Sequence, residues 1–259
     1  MIKHDFKKKY GQNFLNNDKI LDDISNSFCV ENNSMIVEVG AGSGVLTKRL
    51  ITKNVPVISF EIDESLKEYL HKLNYDNLYV VYKDFLSVNL KDYVDQSKHI
   101  YFVANVPYYI TTPIISKFID ENIIPDVMVM MVQKEVAERL SAKVGTKNYG
   151  AISAILNYYY EIEYLFTVDR NNFYPVPNVD SAVIRFNKRK NLLELLSFSK
   201  YKKFINDAFM QKRKNLKNNL KNYDLEKIEY ILKKYDLDLT YRAEDVDYKI
   251  FVEIVNNIY

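Results

Sequence analysis

Hydrophobic positions in this 259-residue chain fall into short runs separated by helical spacing. MIVEVG (35–40) is an apolar stretch that ends at glycines. VLTKRLITK follows it with Val45, Leu46 and Leu50 on one side, the spacing of a helix. VPVISFE (55–61) is again strand-like and precedes the helical SLKEYLHKL. NLYVVYKD (77–84), HIYFVAN (99–105) and PDVMVMMVQ (125–133) are further apolar runs, the last leading into the helical KEVAERLSAK. Strands alternating with helices over two-thirds of the chain predict a parallel sheet covered on both faces. Past the proline-marked loop NNFYPVPNVDS, the run AVIRFNKR predicts an edge strand. From about residue 191 the pattern turns purely helical, through LLELLSFSKYKKFINDAFMQKRKNLKNNL and DLEKIEYILKKYDL. This predicts one domain over 1–188 and a smaller helical one over 189–259, without an internal repeat.

Composition narrows the function classes. No apolar run approaches the roughly 18–20 residues that cross a bilayer. The basic start MIKHDFKKKYGQ lacks the apolar segment of a secretory signal. A single cysteine, Cys29, excludes an internal disulfide. The three histidines, His4, His71 and His99, are scattered, which argues against a protein-built zinc site. A cytoplasmic, metal-free protein is the expectation. Lys, Asn, Ile and Tyr are abundant and Trp is absent, so any one lysine or tyrosine says little; the 6 glycines and 6 prolines say more. The net charge of +2 conceals an asymmetry, because Lys188 to Lys221 holds eleven Lys and Arg against two acids, Glu194 and Asp207. Such a concentrated basic stretch points to a polyanionic partner.

The candidate chemistry begins at EVGAGSG, where Glu38, Gly40, Gly42 and Gly44 close the first strand and open a helix. Glycines there allow close backbone approach to a ligand, and a helix start offers free N–H groups. A dinucleotide fingerprint would be G-x-G-x-x-G; here the third glycine comes one residue early and Val45 takes its place. That loop suits an adenosyl ligand with no pyrophosphate to cradle, and it argues against a nicotinamide dehydrogenase. Glu61 ends the second strand, where an acid can accept both ribose hydroxyls, and Asp84 ends the third, where it can meet an adenine amino group. Singly each acid is an ordinary solvated strand-end residue. Three such elements at the carboxyl ends of successive strands point to S-adenosylmethionine.

The fourth strand delivers Asn105-Val106-Pro107-Tyr108 to the same edge. An exocyclic amine such as N6 of adenine is a poor nucleophile, because its lone pair is delocalised into the ring. The Asn105 side-chain oxygen and the Val106 carbonyl, beside a proline that fixes the local geometry, form an acceptor pair for its two N–H groups. So held, the nitrogen can direct its lone pair at a methyl group, and the same acceptors stabilise the developing positive charge. Tyr108 is the ring expected to stack on a flipped base, with Phe173 on the opposite face and Tyr109 left to packing.

These motifs resemble those of the ribosomal RNA adenine N6-dimethyltransferases, and within them the bacterial small-subunit (16S) type. The resemblance spans nearly the whole chain: KKKYGQNFL, EVGAGSGVLT, FEID, Asp84, NVPYYITTPI, QKEVAERLSAKVGTKNYGAIS, FYPVPNVDSAVIRF and FMQKRKNLKNNL. It implies a Rossmann-like class I S-adenosylmethionine-dependent methyltransferase domain followed by a small helical RNA-binding domain. By the same resemblance the methyl-donor pocket comprises Asn13, Leu15, Gly40, Gly42, Glu61, Asp84 and Asn105, and the catalytic set is Asn105, Pro107, Tyr108 and Phe173. Two departures from the commoner motif, Val106 for a leucine and Tyr109 for an asparagine, remove neither acceptor nor stacking ring. The implied reaction places two methyl groups on each of two adjacent adenosines in a loop near the 3′ end of the small-subunit RNA, in an assembling subunit. FMQKRKNLKNNL is expected to begin on a helix and to offer Lys212, Arg213, Lys214 and Lys217 to phosphates, with Phe209 and Leu216 facing inward. Lys7 to Lys9 are weaker candidates for the same role. A monomer is expected.

Two other functions compete with this one. The methyltransferases that modify large-subunit rRNA and confer macrolide resistance share the glycine loop and a similar Asn-Pro-Tyr motif; the helical tail and QKEVAERL…GTKNYG favour the small-subunit type. A non-catalytic RNA-binding assembly factor would not need the intact Asn105-Pro107-Tyr108 set.

Overall fold

A computed structural model describes residues 13–259. Lys7 to Lys9 lie outside the described residues. The strands are β1 (Phe14–Leu15), β2 (Ser34–Val39), β3 (Val57–Phe60), β4 (Leu78–Val81), β5 (His99–Asn105), β6 (Val127–Gln133), β7 (Tyr160–Val168), β8 (Phe173–Tyr174) and β9 (Ser181–Lys188). The helices are α1 (Asp18–Asn26), α2 (Thr47–Leu50), α3 (Lys67–His71), α4 (Thr111–Asp120), α5 (Lys134–Leu140), α6 (Ala151–Tyr159), α7 (Phe198–Ala208), α8 (Leu216–Asn219), α9 (Leu225–Lys233) and α10 (Tyr248–Ile258).

Seven strands form one sheet in the order β4-β3-β2-β5-β6-β9-β7, and β1 pairs with β8 in a separate ribbon. The pairs β2–β3, β3–β4, β2–β5 and β5–β6 are parallel, whereas β9 runs antiparallel to β6. The chain steps outward from β2 in both directions, so the topological switch lies between β2 and β5, where open α/β sheets bind ligands at the carboxyl ends.

Alternation within each strand explains why both sheet faces are covered. One set of side chains, including Ile36, Tyr101, Val103, Val129, Met131 and Val183, joins Leu21, Ile24 and Phe28 of the N-terminal region in one buried cluster. Residues of opposite parity on β5, such as Phe102, belong to a chain of aromatic contacts linking Phe60, Phe85, Phe102 and Phe118. That aromatic layer packs the turn after β4, through Phe85, and the C-terminal part of α4, through Phe118, against the sheet.

The predicted core strands match β2 to β6 in place: 99–105 coincides with β5, β2 is shifted by one residue, and β3, β4 and β6 are shorter than the apolar runs. The predicted edge strand does not: β9 lies between β6 and β7, and β7 takes the edge. The polar residues that gave β9 an edge-like appearance find partners on that neighbour: Arg185 Nη2 pairs with Glu163 at 2.7 Å and the Asn187 amide donates to the other Glu163 oxygen at 2.7 Å. The strand YEIEYLFTV is half-exposed along most of its length, which masks its alternation in the sequence.

The chain divides into two compact units, 1–137 with 163–188, and 138–162 with 189–259. This corrects a single boundary at 188, because residues 138–162 belong with the helical unit. The reason is local: α6 packs against α7 and α10. In that unit Tyr149, Tyr158, Tyr159, Tyr201, Phe204 and Phe251 form a core of aromatic rings, and the buried Tyr201 hydroxyl donates to the Ala154 carbonyl at 3.0 Å. Helix does not begin at 191 either: α7 starts at Phe198 behind the N-cap Ser197, and Leu192, Leu193 and Leu196 are exposed. Among the described residues, no helix is long and apolar enough to cross a membrane.

Candidate active site

The glycine loop follows β2 and is bound down at several points. Gly40 and Ala41 donate to the Phe60 carbonyl at 2.9 and 3.3 Å, and Gly44 donates to the Ala41 carbonyl at 2.9 Å. Gly40 has φ +83°, and a Cβ there would stand 2.8 Å from the Asn105 carbonyl oxygen. Only glycine lets the ends of β2 and β5 approach so closely. Gly44, at φ +82°, serves packing instead: a Cβ would meet Leu73 at 2.8 Å. The shortened glycine spacing therefore reflects how the loop seats on the Leu70–Leu73 layer as well as the ligand it suits.

Glu61, just past β3, locks this loop from the side. Its Oε2 accepts the Gly42 N–H at 2.7 Å and its Oε1 accepts the Asp63 N–H at 2.8 Å. The carboxyl is 5 % exposed, and burial pushes its pKa up against the lowering effect of those two amides. Each oxygen keeps a further lone pair for a hydroxyl. Asp84 lies three residues beyond the end of β4, at the N-cap of a short 3-10 turn (Phe85–Ser87), where Oδ1 accepts the Leu86 N–H at 2.9 Å. It is thus a loop residue rather than the strand terminus expected from the sequence.

Asn105 is the last residue of β5, and Val106, which follows it, is buried. Pro107 (φ −51°, ψ 138°) turns the chain into a 3-10 turn, Tyr108–Ile110, that feeds α4. The Tyr108 hydroxyl lies 2.8 Å from the Ser181 hydroxyl, and Ser181 is fully buried at the start of β9. Burial raises the Tyr108 pKa, so the ring is neutral at physiological pH. Tyr109, expected to pack, is instead 67 % exposed.

These elements enclose one cavity of about 230 Å³. Every donor-site residue expected from the sequence (Asn13, Leu15, Gly40, Gly42, Glu61, Asp84 and Asn105) lines it, together with Pro107, Tyr108 and Phe173. Phe173 arrives on the β1–β8 ribbon, paired with Leu15, and is buried at 4 % exposure. The basic residues Lys212, Arg213, Lys214 and Lys217 belong to the second unit and are exposed. The helix expected under them ends earlier, at Ala208: Phe209 caps α7 and packs on Tyr149 and Phe251, Lys212 donates to the Lys147 carbonyl at 2.8 Å, and only Lys217 stands on a helix, α8. Leu216 is buried, as expected.

Sequence reasoning missed Phe14 and Ser181, and it named Glu38 with the glycine loop without giving it a role. Phe14 underlies the loop, 3.2 Å from where a Gly42 Cβ would be. Ser181 holds Tyr108 through its hydroxyl, a contact between residues 73 apart in the chain. Glu38 faces away from the cavity: its Oε2 accepts the Thr47 hydroxyl at 2.7 Å and also the Ser59 hydroxyl, tying α2 to β3 behind the glycine loop. Its Oε1 is buried without a hydrogen-bond partner, and burial raises its pKa to about 7. Among the described residues no group of three or more His, Cys, Asp or Glu converges on a metal position.

Comparison with known proteins agrees with this geometry. A family profile described as "Ribosomal RNA adenine dimethylase" matches residues 3–259. The chain is 41% identical over 256 residues to the "Ribosomal RNA small subunit methyltransferase A" of Fusobacterium nucleatum subsp. nucleatum, covering 96% of each chain. It is 39% identical over 252 residues to the protein of the same name from Mycoplasma mobile, covering 96% of this chain and 97% of the other. Among experimental structures it resembles the 23S rRNA methyltransferase ErmE (TM-score 0.77, 26% identity, covering 95% of this chain and 99% of that one). It also resembles a dimethyladenosine transferase from Plasmodium falciparum (TM-score 0.75, 25% identity, covering 93% and 95%). With a profile match over almost its full length, a doubly covered sheet that switches at the glycine loop, and an Asn-Val-Pro-Tyr turn beside it, the chain belongs to the ribosomal RNA adenine dimethylase family of methyltransferases.

Proposed function

We propose that this enzyme uses S-adenosylmethionine to dimethylate N6 of two adjacent adenosines in a hairpin loop near the 3′ end of small-subunit (16S) rRNA, acting as a monomer on the assembling small subunit in the cytoplasm. The observation that carries it is the meeting of Asn105, Val106 and Tyr108 with Glu61, Asp84 and the glycine loop around one cavity.

The residues present fit an adenosyl ligand. Glu61 is anchored by two backbone amides yet keeps acceptor capacity for the ribose hydroxyls. The half-exposed Ile62 and the buried Phe85 provide apolar wall for a purine, and Asp84 has an oxygen beyond the one that caps Leu86. S-adenosylmethionine, when bound, supplies a methyl group made electrophilic by its sulfonium. The chain's own residues act on the amine. The Asn105 side-chain oxygen and the Val106 carbonyl accept its two N–H groups, which draws the nitrogen toward sp³ geometry and frees its lone pair. Positive charge then developing on nitrogen meets two fixed dipoles in a partly buried site. No general base is required in advance, because the amine proton becomes acidic only as the new N–C bond forms, and it can leave to solvent. Tyr108, fixed by Ser181, and Phe173 hold the target ring between them. The exposed Lys212, Arg213, Lys214 and Lys217 meet RNA phosphates, a contribution that falls as salt rises.

The large-subunit reading is less well supported. Identity to the small-subunit methyltransferases reaches 41% over 96% of the chain, against 26% to the 23S enzyme. The test is methyl transfer in vitro to unmethylated small subunits, with the modified bases mapped, alongside mapping of both rRNAs in a deletion strain. N6-dimethyladenine lost from the small-subunit RNA alone is the expected result; loss confined to large-subunit RNA would overturn the assignment.

A further inference from the structure

Tyr109 has no part in the chemistry so far described, and its setting is unusual. It lies on the 3-10 turn that carries Tyr108, and it lines the same cavity. Successive residues of a 3-10 turn point about 120° apart, because the turn has three residues per revolution. Tyr108 uses its direction to reach Ser181, at 2.8 Å, within the protein. Tyr109 is thereby turned outward, and it is 67 % exposed at the cavity mouth. The backbone beneath it is held firmly: Pro107 precedes the turn, Ile110 donates to the Pro107 carbonyl at 3.2 Å, and α4 continues it with Ile114, Ile115 and Phe118 buried. An aromatic ring on a rigid base, open to solvent and one residue from the ring that holds the target, is a stacking platform for the neighbouring base.

We propose that Tyr109 stacks on the purine next to the target adenine, so that the turn Tyr108–Ile110 binds two consecutive unstacked bases, one inside the cavity and one at its mouth. The inference rests on the dimethylation of adjacent adenosines proposed above and adds a specificity-determining residue to it. Tyr108 and Tyr109 cannot share one base, because their rings diverge and only Tyr108 is tied inward. A base drawn into the cavity breaks its stack with its neighbour, and that neighbour then exposes a face; a ring at the rim recovers part of the lost stacking energy. With adjacent adenosines as substrate, the second is retained at the mouth while the first is methylated.

Because the chain contains no tryptophan, Tyr109→Trp introduces a single indole at the platform. Its emission is read as short single-stranded RNA carrying two adjacent adenines is added, and again with RNA in which one of the two is replaced by an abasic site. Quenching by the first RNA and its loss with the second is the expected result; equal response to both overturns the proposal. In steady-state transfer to unmethylated small subunits, Tyr109→Ala should raise KM for the subunit about tenfold, the scale of a lost base–aromatic stack, with methyl-donor affinity unchanged and Tyr109→Phe close to wild type. A KM for Tyr109→Ala within twofold of wild type overturns it as well. Failure of the functional assignment would look different: wild type would transfer no methyl group to small subunits, while the Tyr109→Trp indole would still distinguish the paired-adenine RNA from the abasic one.

Discussion

The two halves of the cavity are built in opposite ways. The half assigned to the methyl donor, after β2 and β3, is held by buried carboxyl groups: Glu61 accepts from the Gly42 and Asp63 amides, and Glu38 accepts the Thr47 and Ser59 hydroxyls behind the loop. The half assigned to the amine, after β5, has no acidic or basic residue in its turn, 105–110. It relies on an amide, a carbonyl, a proline and a neutral tyrosine, braced from behind by Ser181 and the aromatic layer of Phe85, Phe102 and Phe118. Under the proposed function, the difference follows from the chemistry each half would perform. A ribose is recognised in its ground state, where a carboxylate acceptor binds best. An aromatic amine must instead meet acceptors of fixed orientation as it gains positive charge, and preorganised neutral dipoles do this without a proton to lose.

Substitutions can separate the halves. Asn105→Ala removes one of two acceptors that bind most strongly to the charged amine, so kcat should fall about 10²- to 10³-fold with methyl-donor affinity reduced far less. Single-turnover transfer together with calorimetric donor binding would distinguish the two, and wild-type kcat in that variant would exclude the acceptor role. Glu61→Ala should show the reverse signature: donor binding weakened roughly 10- to 100-fold, the scale of a lost charged hydrogen bond, and a smaller change in the rate at saturating donor. If kcat falls and donor affinity does not, the assignment of the halves is wrong.

Glu38 tests the donor half through stability. Its folded pKa of about 7 lies above the ordinary value of 4.5, because burial disfavours the carboxylate more than the Ser59 and Thr47 hydroxyls favour it. Between those pH values the folded state binds more protons than the unfolded chain, so rising pH lowers stability until the curve levels above about 7. A neutral Glu38→Gln variant lacks this loss. Its melting temperature relative to wild type should increase from pH 5 to pH 8, by an amount corresponding to about 2–3 kcal/mol at most. A difference independent of pH would show that Glu38 is not the titrating group. The smallest effect belongs to Ser181→Ala. Losing the hydrogen bond that orients Tyr108 should lower kcat only a few-fold, on the order of 1 kcal/mol, and Tyr108→Phe should not add to it in the double variant.

Much of this site is legible before folding. Gly40, Glu61 and Asn105 each follow an apolar run, and runs separated by helical spacing make parallel strands whose carboxyl ends share an edge. Ser181 and Phe14 were not legible, because their roles come from contacts across 73 residues in one case and from a two-residue ribbon in the other. The misplaced edge strand has a similar cause: Arg185 and Asn187 read as solvent-facing until Glu163 of β7 is brought beside them.

The sequence by itself determined the alternation of strands and helices, the residue types of the glycine loop and of the turn after β5, and the concentration of positive charge after residue 188. Those properties are local, set by periodicity, by glycine and proline, and by side-chain type. Tertiary structure alone decided that residues 138–162 join the helical unit, that Glu38 turns away from the cavity while Glu61 faces it, and that of two adjacent tyrosines one is tied inward and the other left open. Each of these depends on which distant residue occupies the neighbouring space, and a pattern along the chain does not carry that information.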